Sequence, residues 1–222
     1  MSNMIERVPD LRQRVYDALK ARITEGEFPP DARFHEIGLA EELGVSRTPV
    51  REALAMLARD GLLEQGRRGF HFPRMTPEDI RNITEVRLQL EPFAIRRLVE
   101  TTGPVGRDAL ARGIRAEVMR HRDSTAYQAA HRRIRAALLE DVANPVLVAT
   151  IRQFEDSIHM MRLSTLKDQR WREKSAEGHL RLAACIARGD AEGAAAEQAD
   201  LLIHARDSFL AFLAEQEPPA GR

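Results

Sequence analysis

The chain has 222 residues, of which 43% are hydrophobic and 31% are charged, a balance typical of a soluble globular protein. It contains no apolar run of about 18 residues that would predict a membrane span, and its first residues lack the apolar stretch of a signal peptide. The single cysteine, Cys185, excludes an internal disulfide and a cysteine-based metal site. We therefore expect a cytoplasmic protein with one large domain or two smaller ones.

The first 60 residues predict three helices. Residues 10–25 carry an apolar stripe at helical spacing. Residues 35–43 predict a short second helix, which Gly44 ends. A third helix follows at residues 46–60 after a tight turn. A helix, a short turn and a second helix make the geometry of a helix-turn-helix.

The third helix has one apolar face and one basic face. Ser46 suits the N-cap, and Pro49 fits the first turn. Arg47, Thr48 and Arg51 fall on one side, where the two arginines can reach phosphates or guanine edges in a major groove. The opposite side holds the apolar residues Val50, Ala53, Leu54 and Leu57. Taken alone, the segment also fits an ordinary surface helix.

Residues 62–73 change to a pattern that predicts a β-hairpin. Its tip contains Arg67, Arg68 and Gly69, and small residues there let the backbone approach DNA closely. The arginines can enter a minor groove or hold phosphates. The chain has no net charge, but six arginines stand against three acids between residues 43 and 74, which suits salt-sensitive DNA contact. A plain surface hairpin is the alternative.

Three strings in this half match a known pattern: VYDAL at 15–19, LAEELGVSRTPVREAL at 39–54 and DGL at 60–62. With them, the half resembles the winged helix-turn-helix of the GntR family of bacterial transcription regulators. The resemblance implies that the wing glycine approaches the DNA groove. It also implies operator contacts by the residues Ser46, Arg47, Thr48 and Arg51.

The chain from residue 76 onward predicts six helices. Thr76 and Pro77 start the first helix, which runs to about Glu100 and should bend at Pro92. Arg87 interrupts its apolar stripe, so it needs a buried partner or lines a cavity. The second helix is predicted to end near residue 120. The other four are predicted to span residues 123–143, 144–163, 167–188 and 190–215.

The second half carries EVR at 85–87, LEP at 90–92, NPVL at 144–147 and, after His179, ARGD at 187–190. It thereby resembles the FCD-type ligand-binding domain of the FadR subfamily of GntR regulators. We expect a mainly α protein, with a small hairpin wing on the helix-turn-helix and an antiparallel bundle of about six helices. The predicted domains are a DNA-binding domain at residues 1–75 and an effector-binding and dimerisation domain at residues 76–222.

Domains of this type commonly hold a metal with one aspartate and three histidines, and this sequence departs from that set. Counted from the Asn-Pro pair, the first two ligand positions hold His131 and Arg135. His179 matches the third position, and Leu201 occupies the fourth. We expect no cofactor. The alternative is a zinc or nickel ion held by His131, His179 and, one turn beyond Leu201, His204.

At the second ligand position this sequence has Arg135, whose positive charge favours an anion site over a metal site. Together with Arg87 it can grip a carboxylate or phosphate through bidentate bonds. His131 and His179 lie on apolar stripes and would line the same pocket. The prediction is a metal-free effector pocket formed by Arg87, His131, Arg135 and His179. A salt bridge of Arg135 at the rim of the bundle is the alternative.

The resemblance and the predicted pocket together predict a dimeric, ligand-responsive regulator and not an enzyme. Repression is favoured over activation. The partners of this regulator would be a double-stranded DNA operator with two-fold symmetry, a small carboxylate or phosphate effector and a second copy of the chain. No membrane contact is expected. Two other classes remain open. One is a DNA-binding dimer without a pocket, and the other is a metal-dependent enzyme using His131, His159, His179 and His204.

The enzyme class lacks support in the sequence, which has no HExxH motif, paired carboxylates or nucleophile–base pattern. The sequence does not identify the effector, the operator or the regulated genes.

Overall fold

The computed structural model describes residues 10–29, 32–67, 69–73 and 75–216. It divides into two compact units, the first ending at residue 74 and the second beginning at residue 75. Of the predicted site residues, Arg68 lies outside the described residues.

The first unit combines three helices with a small sheet. The helices are α1 (Leu11–Glu25), α2 (Glu36–Leu43) and α3 (Arg47–Arg59), and the strands are β1 (Arg33–Phe34), β2 (Glu64–Gly66) and β3 (Gly69–His71). All three strands are antiparallel in the order β1-β3-β2. The three predicted helices and the hairpin are confirmed.

Strand β1 was not expected from the sequence. It has only two residues, which is too short for an alternating pattern to show. Phe34 pairs with Phe70 on β3, and its ring meets Phe72 edge-on with ring centres 5.1 Å apart. This aromatic contact attaches β1 to the hairpin and buries Phe34 in the core of the unit.

The second unit is helical throughout its described part. Its helices are α4 (Pro77–Thr101), α5 (Pro104–Val118), α6 (Ser124–Glu140), α7 (Pro145–Arg152), α8 (Glu155–Thr165), α9 (Gln169–Arg188) and α10 (Ala191–Gln216). Among the described helices, none is long and apolar enough to cross a membrane.

The prediction of one continuous helix at 144–163 is wrong, because the chain breaks after Arg152. No proline or glycine marks the break, which comes from packing. Leu147 and Ile151 of α7 join one buried apolar cluster, whereas Ile158 of α8 joins another, against which Phe154 packs. The two halves therefore need different orientations, which a straight helix does not allow.

Helix α4 begins with the predicted cap. The backbone N–H of Asp79 donates to the hydroxyl of Thr76 at 3.1 Å, and the backbone N–H of Thr76 donates to the carboxylate of Asp79 at 2.9 Å. Pro77 occupies the first turn. The helix then packs against α10 and brings its middle, near Pro92, into the bundle.

Candidate functional site

Helix α3 separates its apolar and polar residues onto two faces. Val50, Ala53, Leu54 and Leu57 are completely buried. Arg47, Thr48 and Arg51 are exposed. The buried face fixes the helix in the first unit, and the exposed face presents two cations and a hydroxyl.

Ser46 occupies the N-cap position of α3, but its side chain makes no cap hydrogen bond, so the predicted cap is wrong. An N-cap side chain accepts from the backbone N–H of the second or third helical residue. The third residue here is Pro49, which has no N–H to donate, so only the N–H of Thr48 remains as a donor, and it makes no bond to Ser46. The hydroxyl of Ser46 therefore stays on the exposed surface beside Arg47.

Arg47 has an acidic neighbour that sequence reasoning missed. Its Nη2 lies 3.5 Å from Oε2 of Glu36, in the first turn of α2. The side chain of Arg47 is 66% exposed, so this pair contributes little to stability. It does place a carboxylate where a DNA phosphate would compete for the guanidinium.

The tip of the hairpin lies between Gly66 and Gly69, which pair across β2 and β3. Arg67 is exposed there. Gly69 has a φ of 105°, and a Cβ at this position would lie 2.7 Å from the carbonyl oxygen of Phe34. The local fold therefore requires glycine at position 69 whether or not DNA is bound. The predicted groove contact of Gly69 stays a prediction.

In the second unit, the four residues of the predicted effector pocket line one cavity. Arg87 comes from α4, His131 and Arg135 from α6, and His179 from α9. The space open to the centre of a water molecule is about 20 Å³, which holds about one water. The lining also includes residues that sequence reasoning missed, among them Arg162 of α8 and Gln198 of α10.

Glu91 is the internal partner of this cluster. It accepts a hydrogen bond from Nε of Arg87 at 2.7 Å and two from Arg135 at 3.1 and 3.4 Å. Nε2 of Gln198 donates to it at 2.8 Å. Glu91 lines a neighbouring small cavity together with Arg135 and Gln198. The spacing of four residues from Arg87 was the signal that could have identified it.

The alternative of a salt bridge by Arg135 is therefore half right. Arg135 does pair with a carboxylate, but its side chain is only 13% exposed and the partner is buried inside the bundle. Burial alone would raise the pKa of Glu91, but the guanidiniums of Arg135 and Arg87 outweigh it and lower that pKa to about 2. Glu91 is consequently ionised at neutral pH.

The other titratable groups divide into neutral imidazoles and charged guanidiniums. Burial lowers the pKa of His131 well below its usual value and that of His179 to about 4, so both are neutral near pH 7. Burial also lowers the pKa of Arg162, to about 10, which leaves it protonated. Among the described residues that line the cavity of Arg87, His131, Arg135 and His179, three are cationic and none is acidic.

His179 has a defined orientation. Its Nδ1 lies 2.6 Å from the carbonyl oxygen of Ser175, and because a carbonyl only accepts, Nδ1 carries the hydrogen. Nε2 is therefore an acceptor. The ring of His131 meets that of His179 edge-on, with centres 5.5 Å apart.

These residues do not fit the alternative metal site. His204 lines a different small cavity, beside Trp171 and Lys174, so it does not join His131 and His179. The described residues include no group of three histidines, cysteines or acids placed to hold a metal. Three guanidiniums at the cavity also repel a divalent cation.

Each unit matches a known protein family. Residues 11–72 match the family of bacterial regulatory proteins described as the gntR family. Residues 82–203 match the FCD domain, and this second match alone covers more than half of the chain.

Curated relatives and solved structures agree with these matches. The HTH-type transcriptional regulator YdhC of Bacillus subtilis is 40% identical over 86 residues, which cover 38% of each protein. The gluconate operon transcriptional repressor of Bacillus subtilis is 39% identical over 87 residues, 39% of this chain and 36% of that protein. The chain thus spans well under two thirds of the length of these relatives.

Two solved structures share the fold over nearly the whole chain. McbR/YncC of E. coli has a TM-score of 0.75 at 23% identity and covers 94% of this chain and 99% of that one. A transcriptional regulator GntR from Rhodococcus sp. RHA1 has a TM-score of 0.76 at 23% identity, with coverages of 90% and 97%. At this level of identity the likeness shows the fold alone.

Proposed function

The chain belongs to the GntR family of bacterial regulatory proteins and carries an FCD domain, and from this premise we propose that it is a repressor controlled by an anionic ligand. As a transcriptional regulator it falls in a non-enzymatic class. In the proposal, a dimer binds a short operator with two-fold symmetry in the cytoplasm, and the effector occupies the second unit and changes operator affinity.

The exposed face of α3 supports the DNA-binding part of the proposal. Arg47 and Arg51 lie one turn apart on a helix whose other face is completely buried. Such a helix can enter a major groove, where arginine donates to guanine edges or phosphates. Arg67 at the wing tip adds an exposed cation for the DNA backbone. The name of the gluconate operon repressor supports repression as the direction of control.

The lining of the cavity in the second unit is the observation that carries the effector part of the proposal. Arg87, Arg135 and Arg162 bring three buried cations to it, and the internal carboxylate of Glu91 offsets only one of them. An anion that entered would gain charge-assisted hydrogen bonds in surroundings with little water.

One observation favours a second candidate, a DNA-binding dimer without an effector. The cavity has room for about one water, and two of its arginines already share Glu91, so the cluster can also serve as a structural ion network. The effector proposal requires lining side chains to move apart when a ligand enters.

The test uses the full chain and a duplex that it selects from a random library. Fluorescence anisotropy gives affinity and stoichiometry, and sulfate, phosphate, malonate and succinate are added at constant ionic strength. We expect two chains on a symmetric site and weaker binding with at least one anion. Affinity that no anion changes would favour the dimer without an effector. The failure to select any sequence would contradict operator binding itself.

The dimer contact is proposed for the second unit. Val86 and Phe93 lie two turns apart on one face of α4, and both are exposed, so this face offers apolar surface that a second copy of the chain can cover. Replacing Phe93 with Ser should weaken self-association in sedimentation measurements, whereas replacing the exposed Val105 with Ser should not.

A further inference from the structure

Arg162 differs from the other two arginines of the cavity. The residue is only 8% exposed and lines the cavity. The side chains of Arg87 and Arg135 donate to Glu91, whereas the side chain of Arg162 makes no hydrogen bond or ion pair with the described residues. Tyr127 and Glu91 interact with Arg162 electrostatically, but neither is hydrogen-bonded to its guanidinium. A buried guanidinium without a counter-charge in contact is costly, and the described residues place none against Arg162.

The charges around the cavity leave an excess of two cations. Arg87, Arg135 and Arg162 are cationic, and Glu91 supplies one negative charge from the neighbouring small cavity. The imidazoles of His131 and His179 are neutral near pH 7, so they add no charge.

One further acid acts from a distance. Glu155, half-buried at the start of α8, attracts Arg135 electrostatically but does not line the cavity. Its effect is therefore weaker than that of a carboxylate in contact.

We infer that the effector is a dianion and that Arg162 is the residue that binds its second negative charge. The inference rests on the proposed anion-sensing function and deepens it. A monoanion would leave one buried guanidinium without a counter-charge, whereas a dianion balances the two excess cations. Arg162 also lines a second small cavity with Lys174, so positive charge continues in that direction.

The cavity is also lined by a residue with a hydrogen-bond acceptor. Nε2 of His179 carries a lone pair, because Nδ1 donates to Ser175. This acceptor disfavours a further negative charge, so the site is matched to two charges rather than to three or more. Both carboxylates of a dicarboxylate, or the oxygens of sulfate or a phosphate group, meet this requirement.

The test compares matched pairs of probes by calorimetry on the full chain at constant ionic strength. Succinate is paired with succinamate and malonate with malonamate, so each pair differs by one charge at similar size, and sulfate is the smallest dianion. A dicarboxylate that binds should have an affinity at least about tenfold higher than that of its matched monoamide. This is the size of effect expected for one additional charge pair at a partly buried site.

The outcomes separate the two proposals. Equal affinities within a pair would overturn the dianion inference and leave anion sensing intact. The absence of binding by any probe would contradict anion sensing, and the inference would fall with it.

Three variants test the role of Arg162. Arg162→Met should reduce the preference for the dianion to about one, and Arg162→Lys should keep much of it, because the charge is retained. Arg152→Met removes an exposed arginine of α7 and is the matched control, with no change expected.

A second measurement does not depend on ligand. Removing a buried charge that has no counter-charge in contact should raise the unfolding temperature of Arg162→Met without anion. A lower unfolding temperature together with an unchanged dianion preference would show that Arg162 is a structural residue and would overturn the inference.

Discussion

The arginines of α3 and those of the buried cavity have opposite surroundings. Arg47 and Arg51 are exposed, and the N–O distance of the ion pair between Arg47 and Glu36 is 3.5 Å. Arg87 and Arg135 are held inside the bundle by hydrogen bonds to Glu91 as short as 2.7 Å. The exposed arginines can exchange partners in water at little cost, whereas the buried ones depend on an anion. The same residue type therefore suits a DNA-reading surface in one unit and a sensor in the other.

The largest effect is expected from removing the internal carboxylate. Glu91→Ala leaves Arg87 and Arg135 buried without their partner, so the second unit should lose about 3–5 kcal/mol of stability. Trp171 is the single tryptophan of the chain, so its fluorescence during urea unfolding reports on this unit. Glu85→Ala, at an exposed position on the same helix, should change stability by less than about 0.5 kcal/mol. Equal effects of the two substitutions would show that burial of the arginines is not what makes Glu91 important.

The next effect is a loss of stability in mild acid. Buried His179 has its pKa lowered from 6.5 to about 4, so the unfolded chain binds more protons between these two pH values. Stability should therefore fall as pH drops from about 6.5 towards 4, by up to about 1.4 kcal/mol per pH unit from this residue. Glu91, with its pKa lowered to about 2, adds a loss in the same direction below its ordinary pKa of 4.5.

Urea unfolding at a series of pH values, followed by Trp171 fluorescence, checks this. His179→Gln should flatten the dependence of stability on pH between pH 6.5 and 4. If the variant keeps the slope of the natural chain, His179 is not the group that titrates.

A smaller and different effect is expected at the exposed face. Arg51→Ala should weaken operator binding by about 1–3 kcal/mol, because the variant loses a contact to a base edge or a phosphate but no fold contact. Its unfolding free energy should stay within about 0.5 kcal/mol. Anisotropy titrations at several salt concentrations measure the loss, with Arg112→Ala, an exposed site on α5, as the control. Full affinity in Arg51→Ala would exclude the predicted orientation of α3.

The two regions also differ in how far the sequence predicts them. The faces of α3 follow from local periodicity, so the buried and exposed residues could be assigned from spacing alone. Arg87, His131, Arg135 and His179 were brought together through the resemblance to a family, since they lie on three different helices. Glu91 was missed although it lies one turn from Arg87.

The other features that the sequence did not predict depend on tertiary packing. Arg162 lies on α8, which the sequence joined to α7 because nothing in the local pattern marks a break near Gln153. The direction of its side chain depends on that break. Strand β1 likewise exists only because β3 lies beside it. Long-range pairing and the packing of two apolar clusters decide both features, and neither leaves a periodic signal.

The smallest effect is expected from removing the exposed acidic partner of Arg47. Glu36 pairs with Arg47 as Glu91 pairs with Arg87, but the pair of Glu36 and Arg47 is partly exposed to solvent, whereas the other pair is buried. Glu36→Gln should therefore change stability by less than about 1 kcal/mol, in contrast to Glu91→Ala. Because the carboxylate would compete with phosphates for Arg47, its removal should strengthen operator binding slightly, at low salt more than at high salt. Glu52→Gln, at an exposed position elsewhere on α3, removes the same charge without touching this pair. If Glu36→Gln instead weakens binding more than Glu52→Gln does, Glu36 holds Arg47 in the orientation that DNA requires, and the surface pair has a positioning role that its exposure alone does not predict.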